Sequence, residues 1–243
     1  MTGPISTLSQ IELGEIWVYL TGSPLLSLIL TLAAYQVGLM IYERANKNPF
    51  ANPVAIAIAI VIATISVIGL PYAKYFEGAQ FIHFLLGTAT VALAVPIYRG
   101  WQLFRQRAAI LSAALIIGGL GSIFSAIGLA QLIGLPAELT LPFFAKSVTA
   151  PIAMGVAENI GASPTLTAVY AVTTGITGAI IARYILDWLR IRAWWQRGFA
   201  IGVAAHGIGT SRAFSVSAEA GAFASIGMGL HGILGAMLIP WLS

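Results

Sequence analysis

The chain has 243 residues and a formal net charge of +4, yet only 8% of its residues are charged and 58% are hydrophobic. A soluble domain carries roughly 25% charged residues, so a mean hydropathy of +0.91 excludes one, and the ten-residue alternation of a membrane β-barrel is absent. The fold class is therefore all-α, a polytopic transmembrane helical bundle, and the lack of cysteine removes disulfides, thiolate metal sites and cysteine nucleophiles.

Residues 1–23 read as an amphipathic N-terminal segment and residues 24–243 as the transmembrane domain. The first charges, Glu12 and Glu15, are acidic, and no basic stretch or cleavage pattern precedes Pro24, so the segment is not a secretory signal. Ser9 and Glu12 have the spacing of a capping box, and Trp17 and Tyr19 suit a membrane interface. Ser23-Pro24 and Asn52-Pro53 each offer an N-cap followed by an N1 proline. They predict spans over about 24–42 and 53–70, the second ended by Gly69-Leu70-Pro71. Lys74 and Glu77 read as a loop. A third span is expected at about 79–98, with Pro96 near its far end and Arg99, Arg105 and Arg107 beyond. The run 108–133 carries Gly118, Gly121, Ser122 and Ser125, small residues suited to close helix contact.

Lysine and arginine concentrate in 43–52, 99–107 and 183–197, which the positive-inside pattern assigns to the cytoplasm. Basic residues confined to short loops between apolar runs leave no soluble basic domain for nucleic acid. The N-terminus is then non-cytoplasmic, and 108–133 returns the chain to the outside. One net crossing remains before Arg183, although 138–159 and 165–182 are both long enough to cross. The stretch with Pro142, Lys146, Pro151 and Glu158 is predicted to be the re-entrant or broken one, because irregular backbone at membrane depth survives only inside protein or along a cavity. Gly198–Thr210, interrupted by Gly202, Gly207 and Gly209, is a second re-entrant candidate. Val95-Pro96-Ile97 and Ala150-Pro151-Ile152 each sit late in a segment, with a carbonyl freed four residues earlier at Ala92 and Ser147. Two proline-interrupted segments point to inverted repeats, here about 24–107 and 108–243.

Lys146, Ser147 and Thr149 form the first chemical constellation: a cationic donor and two hydroxyls suit a small carboxylate. Lys146 and Thr149 are expected on one helical face, with Pro151 exposing the Ser147 carbonyl beside them. The competing reading is a lysine snorkelling to the interface. His206 and Thr210, four residues apart on a glycine-rich helix with Arg212 just beyond, form the second. Histidine can donate to an anion or relay a proton, or simply bond between helices. His83 and His231 read as structural. Glu158 and Glu219, with His206, are the proton-coupling candidates; capping or pairing with Arg212 is the plainer role for the two carboxylates. Asn52-Pro53 and Ser163-Pro164 read first as caps, whose N–H groups can also face an anion. With no phosphate loop, His-Glu-x-x-His, Gly-x-Ser-x-Gly or carboxylate cluster, neither enzymatic activity nor a metal or cofactor is expected.

Lys146-Ser-Val-Thr-Ala-Pro-Ile-Ala-Met154, Gly161-Ala-Ser-Pro-Thr-Leu-Thr-Ala168, Ala205-His-Gly-Ile-Gly-Thr210-x-Arg212 and Glu219-x-Gly221-Ala-Phe223 together resemble the LrgB family, also called CidB-like. Asn52-Pro53 and Val91–Tyr98 fit as well, so the resemblance covers about residues 25–242. That family includes the LrgB-like half of the plastidial glycolate/glycerate transporter. The resemblance implies a secondary transporter of small 2-hydroxy- or 2-oxo-monocarboxylates (glycolate, glycerate, lactate or pyruvate), with proton coupling as an option. Lys146, Ser147, Thr149, Pro151, His206, Thr210, Arg212 and Asn52 would bind the substrate. The alternative it implies is a holin/antiholin-like regulator of murein hydrolase activity and autolysis. The expected partners are the carboxylate, the bilayer, a second copy in a homodimer and a separate LrgA-like membrane protein. The expected location is a bacterial inner membrane or a plastid envelope.

Overall fold

The structure, a computed structural model, describes residues 24–92 and 94–243; the expected amphipathic segment, with its capping box, aromatic anchors and Ser23 cap, lies outside them. Every regular element among the described residues is helical, and these residues form two compact units that divide between residues 86 and 87. Among the described residues, four helices are long and apolar enough to cross a membrane: Pro24–Arg44, Ala108–Leu132, Pro164–Trp188 and Ala218–Leu242.

In the first unit, α1 (Pro24–Arg44) packs on α2 (Pro53–Val67). The Asn52 side-chain oxygen accepts from the N–H groups of Val54 and Ala55 at 2.9 and 3.2 Å, the capping role the Asn-Pro pair suggests. Lys74 and Glu77 are not in a loop: both are exposed within α3 (Tyr72–Ala92), which begins directly after the Gly69–Pro71 turn. Exposed charges do not end a helix, whereas hydropathy registers them as if they did. The span expected at 79–98 falls on two described helical stretches, α3 and α4 (Ala94–Gln106), on either side of residue 93.

The second unit alternates long helices with folded-back segments. Three helices of 25 residues each, α5 (Ala108–Leu132), α8 (Pro164–Trp188) and α10 (Ala218–Leu242), rise ~37 Å apiece and exceed the ~30 Å hydrocarbon core. Between α5 and α8 the chain forms α6 (Ala137–Thr140), a 3-10 turn (Leu141–Ala145), a non-helical connection at 146–149, and α7 (Ala150–Asn159). Both ends of this piece lie beside the first turns of α8. Tyr170 donates to the Leu139 carbonyl and stacks on Phe143, and α7 runs into α8 through a tight turn. At that turn Gly161 takes φ +73 and Ala162 N–H closes on the Ala157 carbonyl at 2.8 Å, a glycine C-cap. The segment thus enters and leaves beside the same end of α8.

The other segment, α9 (Trp194–Val216), is two helical limbs broken at His206, whose φ of 39 and ψ of −133 are outside helical space. The limbs fold back on each other, since Gly209 approaches the side chain of Ile201, eight residues earlier; a straight helix would separate them by ~12 Å. The first limb lies against α10 with almost no side chain between them. A Cβ at Gly198 or Gly202 would collide with the backbone of Ala220 or Ala224 respectively, small-xxx-small packing at two successive turns.

We therefore expect Gly202→Ala to lower stability by about 1–3 kcal/mol, the usual cost of overpacking. Gly121→Ala, with open space around it, should be neutral. Thermal unfolding midpoints of the detergent-solubilised variants check both.

Candidate functional site

The connection at 146–149 and the bend at His206 are the two points where the second unit stops being helical in mid-segment, and they meet across α10. Lys146 Nζ, half-buried, donates to Ser122 Oγ on α5 at 2.7 Å. Ser147 is 1% exposed, and its Oγ lies 3.2 Å from Nε2 of His231 on α10. Thr149 is the N-cap of α7 but makes no capping bond with its side chain, and its buried Oγ1 has no hydrogen-bond partner. His206 donates from Nε2 to the Ala171 carbonyl of α8 at 2.8 Å, and Thr210 donates to the sulfur of Met228 on α10 at 3.7 Å.

Two glycines make room for the two imidazoles. A Cβ at Gly175 would fall 2.6 Å from His206 Cε1, and one at Gly119 would fall 3.0 Å from His231 Cε1. An apolar wall of Ile123, Phe144, Ala145, Val148, Ala171 and Ile239 encloses the first tip. The tips also start helices: α7 begins at Ala150, and the second limb of α9 begins just after His206. The first N–H groups of a helix lack intrahelical acceptors and carry its positive dipole end. An ammonium, two hydroxyls, two imidazoles and two helix starts are thus gathered near the middle of three spanning helices. No carboxylate pairs with Lys146 among the described residues. This combination can bind a small anion that supplies acceptor oxygens.

Several sequence expectations need correction. Lys146 and Thr149 do not share a helical face, because 146–149 is not helical. Pro151 does not interrupt a helix but occupies the first turn of α7, where its missing N–H leaves no bond unmade. His206 and Thr210 do not sit on one regular helix, since the break falls at His206 itself. His231, expected to be structural and alone in its apolar run, is not alone: it bonds Ser147, and its Nδ1 is buried without a partner. The available signal was its setting in Gly227-Met-Gly-Leu-His-Gly232, where small residues again flank a histidine in an apolar run.

Other expected site residues lie elsewhere. Glu158 is exposed at the far end of α7, and Glu219 is exposed in the first turn of α10, about 18 Å of helix from His231. Arg212 is on the second limb of α9, six residues beyond the bend, and donates to Ser215 Oγ at 3.3 Å. Asn52 belongs to the first unit, where it caps α2.

Replacing Gly175 by alanine should displace His206, with a loss of about 1–3 kcal/mol. Gly155→Ala, on α7 with nothing within 4 Å, should be silent. Unfolding midpoints compared with the parent chain decide this.

The model of the LrgB-like family matches residues 31–243. An uncharacterized protein of Bacillus subtilis, YxaC, is 32% identical over 88% of this chain and 94% of its own length. A second from the same organism, YwbG, is 31% identical over 90% and 96%. Holin-like protein CidB of Staphylococcus aureus is 28% identical over 89% and 94%. No solved structure matches the chain significantly.

Proposed function

The chain belongs to the LrgB-like family of multi-pass integral membrane proteins, and from that premise we propose that it is a secondary carrier of small 2-hydroxy- or 2-oxo-monocarboxylates. The observation that carries this reading is the meeting of two broken segments around Lys146, Ser147, Thr149, His206 and His231, with Thr149 Oγ1 and His231 Nδ1 buried and unpartnered. A buried polar atom without a partner costs about 1–3 kcal/mol, and a carboxylate bridging the tips would recover that loss. Its charge would also compensate the Lys146 ammonium. Helix breaks at mid-membrane, with helix starts aimed at an anion, are how transporter folds built from inverted repeats hold acidic substrates.

In this reading Lys146 is the primary carboxylate partner. Ser147 and Thr149 orient the substrate's oxygens, and the imidazoles of His206 and His231 bond its 2-substituent or take up a coupled proton. The chain catalyses no reaction. The alternation of spanning helix and folded-back segment supports an inverted repeat, and the loop charges support a non-cytoplasmic N-terminus in a bacterial inner membrane. A homodimer and a separate LrgA-like protein are the partners this reading includes.

A second reading has its own support. The relatives named Holin-like protein CidB favour a holin-like regulator of cell-wall hydrolases more directly than they favour a carrier. Such a regulator, acting through membrane oligomers, needs no stereospecific site.

Counterflow of labelled glycolate, glycerate, lactate and pyruvate into proteoliposomes separates the two. The carrier shows saturable exchange of at least one of them. Lys146→Ala should reduce it about tenfold or more, as expected for a lost charge-assisted hydrogen bond of about 1.5–3 kcal/mol. His206→Ala should also impair it, whereas Glu158→Gln and Glu219→Gln should leave it within about twofold. Non-saturable leakage of all four solutes, indifferent to Lys146→Ala, would establish the holin-like reading instead.

A further inference from the structure

At the end of the second unit away from the tips lies a cavity of about 370 Å³, walled by α8, both limbs of α9 and the start of α10. Its charged lining is unbalanced. Arg183 and Asp187 come from α8, Arg192 from the connection after it, Arg197 from the first limb and Arg212 from the second. Among the described residues, the guanidinium groups of Arg183, Arg192 and Arg197 converge on the single carboxylate of Asp187, while Arg212 lines the cavity with a partner in Ser215.

Asp187 is already shared. Arg197 donates to its Oδ1 at 2.7 Å, while Arg192 and Arg183 stand at 3.6 and 3.8 Å. Arg197 is a fixed part of the wall: it is 9% exposed, donates to the Ile191 carbonyl at 3.0 Å and lies over the Trp194 ring at 5.6 Å. Arg183 and Arg192, with side chains 64% and 74% exposed, line the cavity and reach Asp187 only at ion-pair distance. Three guanidinium groups on one carboxylate leave two positive charges, of which a single monocarboxylate would compensate only one. A phosphate monoester carries about −1.5 to −2 at neutral pH and three strong acceptor oxygens. Guanidinium forks engage such oxygens bidentately.

We propose that this arginine-lined cavity is a binding site for a phosphate monoester, presented either by an acidic lipid headgroup or by a soluble phosphorylated small molecule. An anion seated there contacts α8 and both limbs of α9 at once. It ties the folded-back segment shut at its open end, opposite the His206 bend. The site does not rest on the carrier reading, and phosphate binding and solute counterflow can fail separately.

Calorimetric titration of the full-length chain in phosphatidylcholine nanodiscs tests it, with glycerol 3-phosphate, dioctanoyl phosphatidic acid and dioctanoyl phosphatidylglycerol as probes. At least one of the two monoesters should bind saturably, and which one does identifies the source. Binding should weaken tenfold or more in Arg183→Gln/Arg192→Gln and in Arg212→Gln. Arg183→Lys/Arg192→Lys keeps the charge but loses the forks, and it should fall in between. Monodisperse elution of the variants separates lost binding from lost folding. Absence of binding by both monoesters, equal binding to the glutamine variants, or phosphatidylglycerol binding as tightly as phosphatidic acid would overturn the proposal.

Discussion

Backbone that stops being helical at membrane depth must have its polar groups buried against protein, and the second unit is organised around that requirement. It contains two such places, the connection at 146–149 and the bend at His206, and long helices enclose both. The enclosure depends on near-contact of backbones. The first limb of α9 settles onto α10 only because Gly198 and Gly202 meet Ala220 and Ala224 without intervening side chains. His206, a non-glycine residue at positive φ, is held there by its bond to the Ala171 carbonyl and by the space left at Gly175. Such a backbone conformation costs about 1–3 kcal/mol and persists when its surroundings over-determine it.

From this constraint follows a division of polar chemistry along the unit. The middle holds one ammonium, hydroxyls and imidazoles in an apolar wall, a setting with little fixed charge where a substrate's own charge matters. The end near α8's last turn holds the arginines, with Asp187 as their shared counterion. Arg212 belongs to this second region even though it lies only six residues from His206, because the fold-back carries it away from the tip.

Much of this organisation was legible in the sequence for physical reasons. Apolar length marks the long spans, Asn52 and Ser163 announce their helices through side-chain capping, and the prolines at 142 and 151 mark the stretch that is not one continuous helix. Periodicity could not show where helices begin among exposed charges, so Lys74 and Glu77 were misplaced. Nor could it show which side of a break a residue ends on, so Thr210 and Arg212 were grouped with His206. The role of His231 depends on a partner 84 positions away, Ser147, and no local pattern encodes that pairing. Its glycine-rich surroundings hinted only that something approaches closely.

That separation has a consequence for how the protein is made. The first tip is complete only when α10, synthesised after it, brings His231 against Ser147. At ribosomal rates of about 5–20 residues per second, the tip waits on the order of 4–17 s for its partner to be synthesised. During that interval Lys146 and the 146–149 backbone cannot settle in lipid. They must be sheltered by the insertion machinery, by water, or by α5 through Ser122, which is made earlier and already offers Lys146 an acceptor. The Lys146–Ser122 bond thus acts as a placeholder in biogenesis, keeping the segment's cation accommodated until the bundle closes over it.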